Sequence, residues 1–257
     1  VALRQERLLN LAQAKAVLDA RAKERDAAEQ ADYEAKVRER EEKARTSGRK
    51  PGGRPPMPPT PGPHDTDQYN FTDSDSRIMK NSTNVGFDQH YNVQAVVDHA
   101  SLLIVATALS NHPNDKRAAE PALATLPTEL GVPPAAALDN GYWSPATLQA
   151  LNARGIEAYI ATGREPHHTS WQAFFAQTAA PPPDDASPKV KMAYKLKTEI
   201  GQAIYRLRKC TVEPVIGIIK EVLGFRQFSL RGLVAAAGEW CLVCLAFNLK
   251  RLQVLLA

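Results

Sequence analysis

Seven prolines between Pro51 and Pro63 constrain this chain more than any other feature. Proline has a fixed φ and no backbone N–H, so Ser47–Pro63 (SGRKPGGRPPMPPTPGP) is barred from helix interiors and sheet ladders. It reads as a semi-rigid linker over residues 47–66, dividing the chain into residues 1–46 and 67–257. The first segment has no Gly or Pro from residue 3 to 46 and is rich in the helix formers Ala, Glu, Lys and Arg. Its apolar positions Leu8, Leu11, Val17 and Leu18 give way to alanines after Ala20. That stripe is too narrow for a long coiled coil. A helix or helical hairpin with solvated charges is expected.

Beyond the linker the pattern turns α/β. Gln89–Asp98 alternates and is rich in β formers, as is Leu102–Ala108, with a short turn between them, so a hairpin is predicted. Helices are expected over Asp115–Leu126 and Pro145–Ala153. Short strands are expected at Ala135–Leu138 and Ile156–Ala161. Gly163–Ser187 reads as a loop-rich insertion. From Pro188 the chain is helical, with breaks near Gly224 and around Arg231–Gly232. Antiparallel strands followed by β-α-β-α imply a mixed sheet flanked by helices.

Composition narrows the function. Residues 189–257 hold 12 Lys+Arg against 4 Asp+Glu, whereas residues 51–188 hold 7 against 14. A basic tail behind an acidic middle points to a polyanionic partner, nucleic acid or an anionic membrane. Three cysteines exclude a disulfide scaffold. Cys241 and Cys244 have CxxC spacing without a second pair, in an apolar run, so buried thiols are expected. The six histidines lack ligand spacing, and no zinc site is predicted. Val1 to Ala20 lacks the apolar run of a signal peptide. The last helix, Gly232–Ala257, is interrupted by Glu239, Asn248, Lys250 and Arg251, leaving an apolar stretch of about ten residues, half of a span. A buried helix of a soluble, intracellular protein is expected.

Two carboxylates stand out. Asp139, in Leu138-Asp-Asn-Gly-Tyr-Trp143, ends a predicted buried strand, where open α/β sheets bind ligands. It is either a ligand-binding acid or the cap of a turn. Glu213 precedes Pro214, which suits a helix's first turn. A helix from there to about Leu223 would put Glu213 beside its positive end and on one face with Lys220. Arg206, Arg208, Lys209, Lys220, Arg226 and Arg231 surround it in sequence, so Glu213 is either an ion-pair partner or a metal ligand in a phosphate-binding groove. A strand-end Asp and a helix-borne Glu amid cations is what two-metal phosphoryl chemistry uses.

At these residues the sequence resembles DDE-type transposases of bacterial insertion sequences, whose catalytic fold is RNase H-like. The likeness runs from about Asp67 to Leu255. It rests on Asn70–Met79, Tyr91–Asp98, Asn114-Asp-Lys116, Asp139–Tyr142, Thr211-Val-Glu-Pro214 through Lys220, Gly224–Phe228, Arg231-Gly232 and Gly238-Glu-Trp240. It implies residues 67–257 as the catalytic domain, residues 1–46 as a charged helical insertion, and Asp139 and Glu213 as the second and third acids holding Mg²⁺ or Mn²⁺. Tyr205, Arg208 and Lys220, joined by Arg226 and Arg231, would contact DNA. Four residues separate Arg208 from Glu213, where the commonest form has three. The first acid normally lies in an Asp-Gly-Thr-Lys stretch on the first strand. No Asp-Gly occurs in this chain. The expectation is a C-terminal portion lacking that strand, with Asp98, Asp73 and Asp75 as fallback acids.

The resemblance further implies strand cleavage and transfer at element ends, a homo-oligomer on DNA, no membrane partner, and a bacterial, nucleoid-associated cytoplasmic location. The alternative is a catalytically inactive DNA-binding remnant. A third class, a structural or partner-binding protein, would use the charged helix and Pro-rich segment. Trp240 is expected in the core. Trp171, beside Phe174 and Phe175, is a candidate for base stacking, and His167-His168 for solvation of the insertion.

Overall fold

The computed structural model describes residues 2–47, 52–80, 86–163 and 181–257. It forms two compact units, Val1–Ser74 and Asp75–Ala257.

The N-terminal unit is one unbroken helix, α1 (Ala2–Ser47), with the Pro-rich chain lying along it. The helical-hairpin option is not taken, because no residue before Gly48 breaks the run. Among the described residues of α1, only Ala14 and Ala22 are buried. Polar contacts fasten the chain to the helix. Arg25 donates to the Asp67 carboxylate at 2.7 Å and to the Gly62 carbonyl at 2.8 Å. Asp26 accepts the Gly62 N–H at 2.6 Å, and Arg21 stacks 5.8 Å from the Tyr69 ring. These charges, expected to be simply solvated, hold residues 62–69 against the helix.

The C-terminal unit is mixed α/β. Its strands are β1 (Arg77–Lys80), β2 (Phe87–His90), β3 (Asn92–Val97), β4 (Ile104–Ser110), β5 (Ala135–Leu138) and β6 (Glu157–Ile160). Its helices are α2 (Ala119–Ala124), α3 (Pro145–Ala153), α4 (Pro188–Lys195), α5 (Glu199–Glu221) and α6 (Leu233–Leu256). β1–β2 and β3–β4 pair antiparallel, and β5–β6 parallel. Among the described residues no ladder joins the three pairs into the single mixed sheet expected. Side chains bridge β3 to the turn after β5 instead, as described below.

Local chemistry explains the boundaries. Ser144 accepts the Thr147 N–H at 3.0 Å and Pro145 follows it, so α3 starts where a capping serine and an N-terminal proline dictate. Thr198 caps α5 in the same way through Gly201. Pro214, expected to open a helix, lies inside α5. The expected start at Glu213 is therefore corrected, and Glu213 does not sit at a helix N-terminus. The inward stripe of Gly201, Thr211, Val215 and Ile219 is buried on both sides of Pro214. That burial outweighs the hydrogen bond the proline forfeits.

Two apolar clusters hold the unit. Ile104, Val215, Ile219, Trp240, Cys244 and Phe247 lie between the β3–β4 hairpin, α5 and α6. Leu123, Leu151, Ile156, Ala158, Ile160 and Met192 surround β5–β6. Leu151, Ile160, Val215 and Ile219 are the largest fully buried side chains, each worth about 1.5–3 kcal/mol in transfer terms. α6 buries one face: Trp240, Cys244 and Phe247 join the cluster and Ala236 is buried, while Leu242, Leu245 and Leu249 are exposed. Cys244 is buried and Cys241 exposed, which corrects the expectation of two buried thiols. Burial pushes the Cys244 thiol up to about 12. By length and composition α6 is long and apolar enough to cross a bilayer, more than the half-span expected.

Candidate active site at the Asp139 turn

β5 delivers Asp139 into a one-turn 3₁₀ segment, Asn140–Tyr142, and Asp139 Oδ1 accepts the Gly141 N–H at 2.8 Å. The capping role is thus real, and it engages one of the two carboxylate oxygens. A second carboxylate converges on the same spot. A Cβ on Gly141 would lie 2.9 Å from Asp115 Oδ2 and 3.1 Å from Asp139 Oδ1. A side chain at 141 would push against both carboxylates, so glycine suits this close approach.

The Asp115 carboxylate is fastened on its other oxygen. Oδ1 accepts from Asn92 Nδ2 at 2.7 Å and from Gln94 Nε2 at 3.0 Å. Gln94 also donates to Asn92 Oδ1 at 2.9 Å, and its Oε1 accepts the Tyr142 hydroxyl. Its carbonyl accepts the indole N–H of Trp240 at 3.0 Å. Gln94 is only 4% exposed, so each of these bonds offsets a desolvation cost that would otherwise stand. Burial, with Asp115 and Asp139 nearby, pushes the Tyr142 phenol far above its ordinary range, and it remains a neutral donor. One residue on from Asp115, the Lys116 carbonyl accepts from Ser144 Oγ and Thr147 Oγ1 at 3.0 and 3.1 Å. The Asn114-Asp-Lys loop is thereby fixed to both β3 and the start of α3.

Asp115 and Gln94 are the neighbours of the Asp139 turn that sequence reasoning missed. Both lie within motifs that carried the family likeness. The available signal was a pair of amides, Asn92 and Gln94, on one side of a strand.

Glu213 faces outward from the middle of α5 and is exposed. At about 100° per residue, Lys220 lies about 20° from it around the helix and Lys209 about 40°. Arg208 lies about 140° away, half-buried on the side of Thr211 and Val215, with its guanidinium 5.5 Å from the Tyr205 ring. The extra residue between Arg208 and Glu213 has this effect: Lys209, not Arg208, shares the Glu213 face. Arg226 pairs with Glu221, and Arg231 is exposed.

Among the described residues, no three or more His, Cys, Asp or Glu side chains are gathered to hold a metal ion. The Asp115 and Asp139 carboxylates both approach Gly141; Asp139 offers hard oxygen donors of the kind Mg²⁺ or Mn²⁺ takes, and Glu213 is not gathered with them. The fallback acids serve elsewhere. Asp98 accepts from the Ser101 N–H and hydroxyl in the hairpin turn, which holds its carboxyl below the usual range. Asp75 Oδ2 accepts the Leu233 N–H at the start of α6. Asp73 belongs to the N-terminal unit. Trp240 is a core residue, 2% exposed. Trp171 and His167-His168 lie outside the described residues.

Residues 183–253 match the transposase DDE domain family. This is consistent with the C-terminal portion of a DDE-type transposase. The matched segment spans α4, α5 and most of α6, and includes Glu213, Lys220, Arg226 and Arg231, while Asp139 precedes it. The chain matches no curated protein sequence and no solved structure.

Proposed function

We propose that the chain is the catalytic part of a DNA transposase with an RNase H-like core, acting on the ends of a bacterial insertion element in the nucleoid-associated cytoplasm. The family match over residues 183–253 carries this reading, because it coincides with the basic tail and contains Glu213 and Lys220.

In this reading Asp139 and Glu213, which are not gathered into one cluster among the described residues, would together hold Mg²⁺ or Mn²⁺, and the ion would supply water activation and stabilise the leaving oxygen. Water attacks a phosphorus at the element end, and the 3′-oxygen leaves as a hydroxyl. That hydroxyl then attacks a target-DNA phosphorus in line, displacing the target's own 3′-oxygen. Lys220, on the Glu213 face, grips the backbone near the scissile phosphate. Tyr205, Arg208, Arg226 and Arg231 extend the DNA contact, and the protein works as a homo-oligomer on DNA.

The test uses a donor plasmid bearing the element ends. Asp139→Ala and Glu213→Ala should each abolish metal-dependent cleavage and joining while leaving DNA binding in place. Either variant cutting like the parent removes that acid from the site. Salt-sensitive DNA binding by the parent with no cleavage at any Mg²⁺ or Mn²⁺ concentration would point to the inactive remnant instead.

A further inference from the structure

We infer that Asp115 is a positioning residue for the Asp139 turn, acting through Gln94 and Tyr142. The inference rests on the reading of Asp139 as a metal-holding acid and adds a part to it. Asp115 Oδ1 fixes the Gln94 side-chain amide, with the Asn92 amide beside it, at 3.0 and 2.7 Å. A primary amide held by its N–H₂ has its carbonyl direction set. Here that carbonyl receives the Tyr142 hydroxyl, three residues past Asp139. Tyr142 closes the same 3₁₀ turn whose first N–H contact is Gly141 to Asp139 Oδ1.

Both ends of the turn are therefore pinned, one by Asp139 itself and one by the relay from Asp115. The Tyr142 ring packs against the β5–β6 cluster, so the hydroxyl bond decides where along that surface the ring rests. Gln94 is anchored independently by Trp240 on its backbone oxygen, which makes it a fixed post and not a passenger. Such outer partners of a carboxylate site set its geometry without touching the reacting atoms.

The mechanism requires an acceptor at position 115, not a charge. Asp115→Asn keeps an oxygen for the two amides; Asp115→Ala removes it. In the metal-free full chain, the ¹H–¹⁵N signal of Gly141 reports its bond to Asp139. Asp115→Ala and Tyr142→Phe should both move that signal toward the values of an unbonded amide, and Asp115→Asn should leave it near the parent position. Mn²⁺ binding followed by electron paramagnetic resonance should weaken about tenfold in Asp115→Ala and Tyr142→Phe, and by less than about threefold in Asp115→Asn. Tyr142→Phe removes one oxygen and keeps the ring, so it covers the case in which Asp115→Ala does not fold.

Two results would overturn the inference. One is a Gly141 signal unmoved in both Asp115→Ala and Tyr142→Phe. The other is Asp115→Asn failing as badly as Asp115→Ala, which would make the charge the working part. The metal-free signal stands apart from the underlying reading. Mn²⁺ binding unchanged in Asp139→Ala would defeat that reading while the Gly141 shifts still decide the role of Asp115.

Discussion

Each of the two units is held together internally by different physics. In the N-terminal unit the 46-residue helix buries only two alanines among its described residues, and its partner segment is fastened by Arg21, Arg25, Asp26 and Asp67. In the C-terminal unit, leucine, isoleucine, valine and tryptophan side chains form two closed clusters. Buried polar bonds such as those of Gln94 are threaded between them. The charged contacts are weak singly and respond to salt and pH. The apolar clusters are strong and respond to shape. The contrast teaches that the Pro-rich chain, though irregular, is not idle: its carbonyls and N–H groups are the partners that α1's charges find.

The largest test of this contrast is Trp240→Ala. It opens a cavity at about 3–5 kcal/mol and leaves the Gln94 carbonyl without its donor. Hydrogen exchange should show lost protection across β3, β4, α5 and α6, with α1 unchanged. Loss of protection in α1 to the same degree would merge what are here two separate kinds of stability.

Arg25→Ala should be felt at about 1 kcal/mol, within the N-terminal unit only. Limited proteolysis should then cut faster between residues 60 and 70. The same contact gives a pH signature. The Arg25 guanidinium beside Asp67 holds that carboxyl below its ordinary range. A lowered folded value means the contribution is fully present above the unfolded carboxylate range. It is lost as pH falls through the lower folded value. Docking of residues 62–69 should therefore persist at pH 6 and fail only in strong acid, as read by the same proteolysis at stepped pH. Smallest is the exposed Asp32–Lys36 pair, four apart on α1. A double-mutant cycle should return about 0.3–0.5 kcal/mol at low salt and nothing measurable at 1 M. A larger value would mean that single surface pairs contribute more to α1 than its exposure allows.

How much of this was legible depended on whether the signal was local. Ala135–Leu138 and Pro145–Ala153 form the expected strand and helix to the residue, because Ser144-Pro145 and the Asp-Asn-Gly turn are local punctuation. Asp139 at a strand end followed from the same signals. Pro214 was misread because local preference favours a helix start, while burial of Val215 and Ile219 continues the helix through it. The single strand expected over Gln89–Asp98 is interrupted at Tyr91, whose ring meets Phe228 at 5.8 Å, a partner far away in sequence. Asp115 was equally out of reach: only folding sets it beside Gly141.

The Asp139–Gly141 hydrogen bond also bears on how long the molecule stays chemically intact. In an Asn-Gly pair the glycine nitrogen tends to attack the asparagine carbonyl, expelling ammonia and leaving a succinimide that opens to aspartate or isoaspartate. At Asn140-Gly141 the hydrogen on that nitrogen is committed to the Asp139 carboxylate at 2.8 Å, and the turn is pinned at Tyr142. The acid at the end of β5 is thus expected to slow that attack on its own backbone. A stored Asp139→Ala preparation would gather isoaspartate at position 140 while the parent stays whole.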